Sequence, residues 1–540
     1  MMCKIIPVIL LIQVFVQISC EFFSSVAHIL DLMETRKVFI NLIKNYTVEE
    51  GIRLENLRKY VEQQTLILKD FSNSNYPENP IIHFLIIKNV AKDVKDIKNI
   101  IKTQPFKIFE ETLMTRIDLP GDKDLHGAMA AILRLQYIYK LETKDLAHGK
   151  IKKLNFKSAL SADDCFEIGK HAYEDDNYYQ ASLWFTEAIQ ILDRKKNDSS
   201  FKKNILLEYT AYSFYQQGNL YAALAKTLEL LELEPNHSIA QGNKLWYEYE
   251  ISELEQSNQI KLDDYYDIDS RTFKIYSPKR WETYFDGYMP VYSALCRGDK
   301  IIEKNNYRKG STCRYMNRHK HPLLLLAPIK EEVLYTNPWI AAYHNVITDA
   351  EINILKTLAQ PQLKRATVVS IETFTNEIVD DRVSKSAWLD EVDTTLVESL
   401  NLRINAITGL DMLTSESLQI GNYGIGGHYD PHYDFSEDPQ NPISSRLATF
   451  MFYLSDINEG GATVFPKINL RVQPVKGSGI FWYNLYVNRS GNHDTRHAGC
   501  PVLLGSKWVA NKWIHQFGNN YKAQCKSKYQ KQKNTKGSTI

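Results

Sequence analysis

The sequence predicts a multidomain α + β protein with a helical N-terminal region, a tetratricopeptide-like helical domain, and a C-terminal β-rich domain of the jelly-roll or double-stranded β-helix type. Three observations lead there. In the first third, apolar residues recur every three or four positions while Gly and Pro are scarce. Between about 160 and 250 one pattern of small and large residues occurs twice. After Pro338, short strand-forming runs alternate with Gly, Pro and Asn. A chain of 540 residues exceeds what one core organises. Its 44% hydrophobic and 24% charged content is that of a soluble globular protein. Lys plus Arg (65) balances Asp plus Glu (64), so net charge makes no case for a nucleic-acid partner.

Lys4 precedes an apolar run from Ile5 to Ile18 that ends in the small residues Ser19 and Cys20. This reads as a signal peptide over residues 1–20. A membrane anchor is the other reading, but the run falls short of the roughly 20 residues a spanning helix needs, and no later run is long enough. The expected compartment is therefore the secretory pathway. Sequons at Asn45, Asn197, Asn236 and Asn488 suit it, although each is also what an unmodified Asn looks like. Of seven cysteines, Cys165, Cys296, Cys313, Cys500 and Cys525 lie outside the leader. Two short-range pairs are expected, Cys296 with Cys313 and Cys500 with Cys525, leaving Cys165 unpaired, though the sequence permits other pairings.

Residues 21–155 form the helical N-terminal region. Val26, Ile29, Met33, Ile40 and Ile43, then Leu54, Leu57, Val61 and Leu68, make a packing stripe that suits either an amphipathic core helix or a contact between two copies. Residues 156–250 hold the repeat. Ala211, Phe214, Gly218, Leu220, Ala223, Leu230 and Pro235 fall where a tetratricopeptide helix pair needs them, and Gly169, Ala172, Tyr178, Ala181, Phe185 and Ala188 form a looser first copy. Such pairs build a concave groove for an extended peptide. Tyr173, Tyr178, Tyr179, Tyr209, Tyr212 and Tyr215 are candidates to line it and to stack on proline faces, or else are core.

Residues 251–335 read as a linker stapled by a disulfide, its basic stretch from Arg308 to Lys320 a solvated face. Residues 336–525 form the β-rich domain, with a helix from Thr348 to Leu358 and strands at Leu418 to Tyr423, Ala448 to Leu454, Gly479 to Tyr483 and Lys507 to His515. Residues 526–540, with five lysines and no acid, form a basic tail.

The chemistry is placed at Gly421-Asn-Tyr-Gly-Ile-Gly-Gly-His-Tyr-Asp-Pro-His-Tyr-Asp434. Residues two apart on a strand face one way, so His432 and Asp434 can reach a single ion. A second histidine, His497, would complete a two-His, one-carboxylate face suited to non-haem Fe(II). Taken alone, the His-x-Asp pair is also what a solvated His and Asp beside a glycine loop look like. Lys507, Trp513 and His515 stand at even offsets on one strand and share a side. An inward lysine requires an anionic partner.

The runs Tyr423-Gly-Ile-Gly-Gly-His-Tyr-Asp-Pro-His-Tyr-Asp434, Gly460-Gly-Ala-Thr-Val-Phe-Pro466, Phe481-Trp-Tyr-Asn-Leu485, Thr495-Arg-His497 and Trp508-Val-Ala-Asn-Lys-Trp513 resemble the catalytic domain of collagen prolyl 4-hydroxylase α subunits. The resemblance extends through Arg382-Val-Ser-Lys-Ser-Ala-Trp-Leu389, Asp164-Cys-Phe-Glu-Ile-Gly169 and the cysteine spacings, and covers nearly the whole chain after the leader. It implies that His432, Asp434 and His497 bind Fe(II) and that Lys507 takes the distal carboxylate of the cosubstrate 2-oxoglutarate. It further implies that His515 assists catalysis or cosubstrate binding, that Tyr423 and Trp513 line the pocket, and that Tyr429 and Arg446 contact the peptide. The implied reaction is 4-hydroxylation of peptidyl proline in collagen-like chains, with O2 and 2-oxoglutarate consumed, succinate and CO2 released, and ascorbate maintaining the iron. The implied setting is the endoplasmic reticulum lumen, in an α2β2 tetramer with protein disulfide isomerase as β subunit.

One departure stands out: His428 and Asp430 occupy positions where the family usually has Gln and Glu. Four residues before His432, His428 is expected on the same side, as a pocket-rim residue or a spare ligand, with Pro431 disturbing the strand between them. The remaining readings are a hydroxylase of another secreted Pro-rich substrate and a catalytically silent peptide-binding subunit.

Overall fold

The computed structural model describes residues 24–49, 79–100, 120–194, 203–257, 259–262, 289–299, 312–317 and 321–519, less single positions and short gaps in the last stretch, with isolated residues around 58–69 and 266–274. The leader, the stripe at Leu54, Leu57 and Leu68, and the basic tail lie outside the described residues.

The N-terminal region supplies α1 (Val26–Glu49), α2 (Pro80–Ile100) and α3 (Asp122–Tyr139). Ile29, Met33, Ile40 and Ile43 of the expected stripe are buried. The tetratricopeptide-like domain follows as α4 (Ala162–Glu174), α5 (Tyr178–Arg194), α6 (Lys203–Gln216), α7 (Leu220–Leu233) and α8 (Ser238–Gln256). A capping box starts α4: Ser161 Oγ accepts from the Asp164 N–H, and Asp164 accepts from the Ser161 N–H at 2.8 Å. Gly169 is small for a physical reason, since a Cβ there would stand 2.7 Å from the Phe185 ring where α4 crosses α5.

Next come α9 (Met289–Arg297), β1 (Thr312–Met316), β2 (Ile329–Thr336), β3 (Trp339–His344), α10 (Asp349–Ala359), β4 (Lys364–Arg365), β5 (Arg382–Val383), β6 (Lys385–Leu389) and α11 (Thr395–Thr408). The chain ends in β7 (Leu418–Tyr423), β8 (His428–His432), β9 (Arg446–Tyr453), β10 (Thr463–Phe465), β11 (Leu470–Val472), β12 (Gly479–Tyr483), β13 (His497–Gly499) and β14 (Lys507–His515). Two antiparallel sheets face each other, one in the order β1-β2-β3-β12-β9-β14-β7-β6-β4 and one in the order β5-β8-β13-β10-β11. The large sheet begins inside the segment read as a linker, because β1 and β2 pair there.

The cysteine pairing differs from the sequence expectation. Cys296 is bonded to Cys500, while Cys313 is exposed and free and Cys165 is buried and free. Helix α9 packs on β10 and β11 of the small sheet, which brings Cys296 to Cys500 just after β13. Cys313 lies on the outermost strand of the large sheet. Proximity in sequence was outweighed by the docking of α9. Cys525 lies outside the described residues.

Helix α3 also packs on the β domain. Arg134 Nη1 donates to the Gly426 carbonyl at 3.1 Å and Tyr139 Oη to the Pro501 carbonyl at 2.5 Å. Gly426 has φ +73°, and a Cβ there would sit 2.5 Å from that of Ala131. The glycine loop leading into β8 is therefore braced by the N-terminal region.

Candidate active site

A cavity opens between the sheets, lined by Tyr423, Tyr429, His432, Asp434, His497, Lys507 and Trp513, and by Arg382, Thr449, Met451, Thr463, Trp482, Gly499 and Asn511. Strand register assembles it. His432 pairs directly with His497 across β8 and β13, while on the large sheet Tyr423 pairs with Lys507 and Thr449 with Trp513.

One ligand atom from each of His432, Asp434 and His497 lies within 4.8 Å of the others. The Asp434 carboxylate stands 3.8 Å from His432 Nε2 and 3.6 Å from His497 Nε2. His432 Nδ1 donates to the Asp430 carbonyl at 2.7 Å and His497 Nδ1 to the Thr495 carbonyl at 3.0 Å. Both Nε2 lone pairs are thereby left facing the cavity. Burial, reinforced by His497, pushes His432 down to about 3, so the imidazole is neutral and ready to bind metal. Burial works against the Asp434 carboxylate, but His497, His432, Arg446 and a 2.6 Å hydrogen bond from Thr449 outweigh it and hold its pKa below the usual range. Two imidazole nitrogens and one oxygen on a single face fit Fe(II).

Lys507 is 3% exposed. Its ammonium lies 5.5 Å from the Tyr423 ring and beside Gly499, makes no ion pair among the described residues, and burial alone pushes its pKa down to about 7. A buried cation without a counter-ion, in the cavity that holds the triad, fits an anionic small molecule. Tyr429 stacks on His432 with ring centroids 3.5 Å apart, and the Arg382 guanidinium lies 4.8 Å over Tyr429.

His515 does not line this cavity. Its Nε2 is 3.1 Å from Glu416 and its Nδ1 contacts Ser445. The register shift between Arg446 and Ala448 puts an extra residue on β9 opposite the end of β14, and His515, the last residue of β14, is held there by Glu416 and Ser445 instead of among the residues that line the cavity. Arg446 binds Glu416 at 2.8 Å and lies 4.0 Å over the Trp513 ring, so it reaches the cavity through that wall.

His428 lies on the opposite side of β8 from His432. Between Tyr429 and His432 the partner strand advances two residues, Gly499 to His497, against three on β8. This bulge at Asp430-Pro431 reverses the alternation. His428 and Asp430 face a separate cavity of about 550 Å³, shared with Arg134 of α3, His171 of α4 and Tyr292 of α9. The expectation that His428 borders the metal pocket fails for this reason.

Tyr173, Tyr178, Tyr209, Tyr212 and Tyr215 form one cluster, with Tyr173 and Tyr209 at 4.9 Å and Tyr212 and Tyr215 at 6.1 Å. Tyr247, stacked on Tyr215 at 5.0 Å, extends it. Tyr179 points away and lines a different cavity with Tyr137 and Arg297. Sequence reasoning missed Thr449, Arg382, Asn511 and Glu416 as site residues. Arg382 stands in the run Arg382 to Leu389, Asn511 shares the even offsets of Lys507 and Trp513 on β14 so that alternation could have found it, and no spacing rule ties Thr449 or Glu416 to His432.

Three family models match the chain: the prolyl 4-hydroxylase α-subunit N-terminal region over residues 25–153, the prolyl 4-hydroxylase peptide-substrate-binding domain over 162–253, and the 2OG-Fe(II) oxygenase superfamily over 418–515. The chain is 38% identical over 516 residues to human prolyl 4-hydroxylase subunit alpha-1, covering 93% of this chain and 95% of that protein. This chain belongs to the prolyl 4-hydroxylase α-subunit family. Another α subunit, prolyl 4-hydroxylase subunit alpha-2 of Caenorhabditis elegans, is 37% identical, covering 94% of this chain and 93% of that protein. Among solved structures, the viral collagen prolyl hydroxylase of Paramecium Bursaria Chlorella virus-1 is 27% identical with a TM-score of 0.28, covering 32% of this chain and 94% of that chain. The tyrosine cluster falls within the span of the α-subunit peptide-substrate-binding model.

Proposed function

We propose that this prolyl 4-hydroxylase α subunit hydroxylates C4 of proline within collagen-like, Pro-rich peptides. One atom of O2 enters the hydroxyl group and the other enters succinate, as 2-oxoglutarate loses CO2. The observation that carries this reading is a three-ligand face and an uncompensated buried ammonium in one cavity. Fe(II) at the triad supplies the oxidising chemistry when bound. His432, Asp434 and His497 hold it, and Lys507 takes the distal carboxylate of 2-oxoglutarate against the Tyr423 ring. Tyr429, Arg382 and Trp513 line the approach for the peptide, with Arg446 behind Trp513. His515 acts on the cosubstrate or peptide indirectly, through the Glu416 and Arg446 pair.

The tetratricopeptide tyrosines hold a distant part of the same polyproline II chain, which raises the effective peptide concentration at the cavity. Ascorbate restores metal oxidised in turnovers uncoupled from hydroxylation. The leader over residues 1–20 directs the chain to the endoplasmic reticulum lumen, where exposed Asn236 and Asn488 are open to glycosylation and protein disulfide isomerase joins it in an α2β2 tetramer. The N-terminal helices mediate the contact between α chains.

The test is 2-oxoglutarate decarboxylation by the coexpressed complex with and without a Pro-Pro-Gly repeat peptide. Peptide-stimulated turnover is expected, and His432→Ala, Asp434→Ala and His497→Ala each abolish it while the fold survives. Activity retained in any of the three overturns the ligand assignment. A wild type that binds the peptide without turnover points to a silent peptide-binding subunit.

A further inference from the structure

Thr449 on β9 accepts a hydrogen bond from Asn484 Nδ2 at 2.9 Å and lies 2.6 Å from Asp434 Oδ2. All three residues are at least 95% buried, and Asn484 lies one position beyond β12. The polarity of this chain follows from valence. An ionised carboxylate cannot donate, so the single hydroxyl proton of Thr449 goes to Asp434. The hydroxyl oxygen is then free only to accept, and the amide atom facing it must be the nitrogen. The other amide atom, Asn484 Oδ1, is buried without a hydrogen-bond partner. That is the strained half of an arrangement whose useful half is the donor.

We infer that Asn484 and Thr449 form a positioning pair that holds the Asp434 carboxylate by Oδ2, the oxygen 3.6 Å from His497 Nε2, and so opposes its turning into a two-oxygen grip on the metal. The inference rests on the proposed metal site. The chemical need is specific: a two-oxygen grip by Asp434 would use one of the three positions that a chelating 2-oxo acid and O2 require. Neither residue touches the metal, the cosubstrate or the peptide in this role. Both act through the geometry and basicity of Asp434.

The test measures anaerobic Fe(II) affinity by calorimetry, and the absorption that appears when 2-oxoglutarate is added to the Fe(II)-loaded chain, for wild type, Thr449→Val, Thr449→Ser, Asn484→Asp and His432→Ala. Thr449→Val keeps the shape and loses the hydroxyl. Its Fe(II) affinity is expected to fall about 10- to 100-fold, while Thr449→Ser stays within about threefold of wild type. Asn484→Asp keeps Thr449 but offers it an acceptor in place of a donor, drawing the hydroxyl proton from Asp434. It is expected to match Thr449→Val, with the 2-oxoglutarate absorption weakened in both. Thr449→Val or Asn484→Asp binding Fe(II) like wild type overturns the pair. If either variant fails to fold, the contrast between the other and Thr449→Ser decides. A wild type that binds Fe(II) no better than His432→Ala overturns the underlying metal assignment instead.

Discussion

Replacing Lys507 by Met should make the metal-free chain more stable while destroying its affinity for 2-oxoglutarate. Burial lowers the Lys507 pKa from 10.5 to about 7, with no neighbouring charge contributing. At about 1.4 kcal/mol per pKa unit, that shift opposes folding by about 5 kcal/mol when the group is protonated in both states. Below pH 7 both folded and unfolded chains hold the proton, and the opposition is complete. Between pH 7 and 10.5 the folded chain releases the proton and the unfolded chain keeps it, so the wild type gains stability as pH rises. Above 10.5 both forms are neutral and the difference is gone. Lys507→Met removes the charge at every pH and sets an apolar chain of similar length beside Tyr423 and Val509. Urea unfolding of the metal-free protein should therefore favour the variant by about 5 kcal/mol at pH 6.5, about 3 kcal/mol at pH 8.5 and under about 1 kcal/mol at pH 10. A variant less stable than wild type at pH 6.5, or an advantage that does not shrink with pH, would refute the uncompensated ammonium. A bound carboxylate restores the charge, so 2-oxoglutarate binding to wild type above pH 7 should take up protons, readable by calorimetry in buffers of different ionisation enthalpy.

Two other predictions concern the rest of the chain. Tyr173→Ala, at the centre of the tyrosine cluster, should raise the KM for long Pro-Pro-Gly repeat peptides about tenfold or more through lost ring stacking and leave the KM for short peptides and kcat unchanged; an equal effect on both lengths would place the cluster outside peptide binding. Non-reducing peptide mapping should recover Cys296 cross-linked to Cys500; a Cys296 to Cys313 cross-link would restore the pairing expected from sequence.

Much of this site was legible because period-two alternation is a local property carried by the order of residues along each strand. Strands at Leu418–Tyr423, Gly479–Tyr483 and Lys507–His515 match the sequence expectation in extent, and Thr348 caps α10 as a Thr before an acidic first turn should. What could not be read is tertiary. The hydrogen bond from Thr449 to Asp434 depends on β9, in the large sheet, meeting across the cavity the residue that follows β8 of the small sheet, and 15 residues separate the pair in sequence. The disulfide depends on α9 docking over a separation of 204 residues. Strands β1 and β2 escaped prediction because Thr312–Met316, at the sheet edge, is almost wholly exposed, and Ile329–Thr336, beside it, carries charges on a half-exposed face.

The bulge at Asp430-Pro431 shows how one local irregularity divides functions along a strand. Strict alternation would put His428, Asp430 and His432 on one side, crowding three ligating groups around a single ion. Pro431 lacks an N–H, so β8 cannot continue its ladder there, and the extra residue turns Tyr429 and His432 inward together. His432 gains a stacked ring and a backbone acceptor from the very residue, Asp430, whose side chain points the other way. His428 and Asp430 are thus released to the cavity shared with the N-terminal and tetratricopeptide helices. His428 and Asp430 therefore act at a contact between the helical regions and the catalytic domain. Changes at either residue bear on how the helical regions sit against the catalytic domain, and the Asp430 carbonyl, which accepts from His432 Nδ1, links that contact to the metal centre.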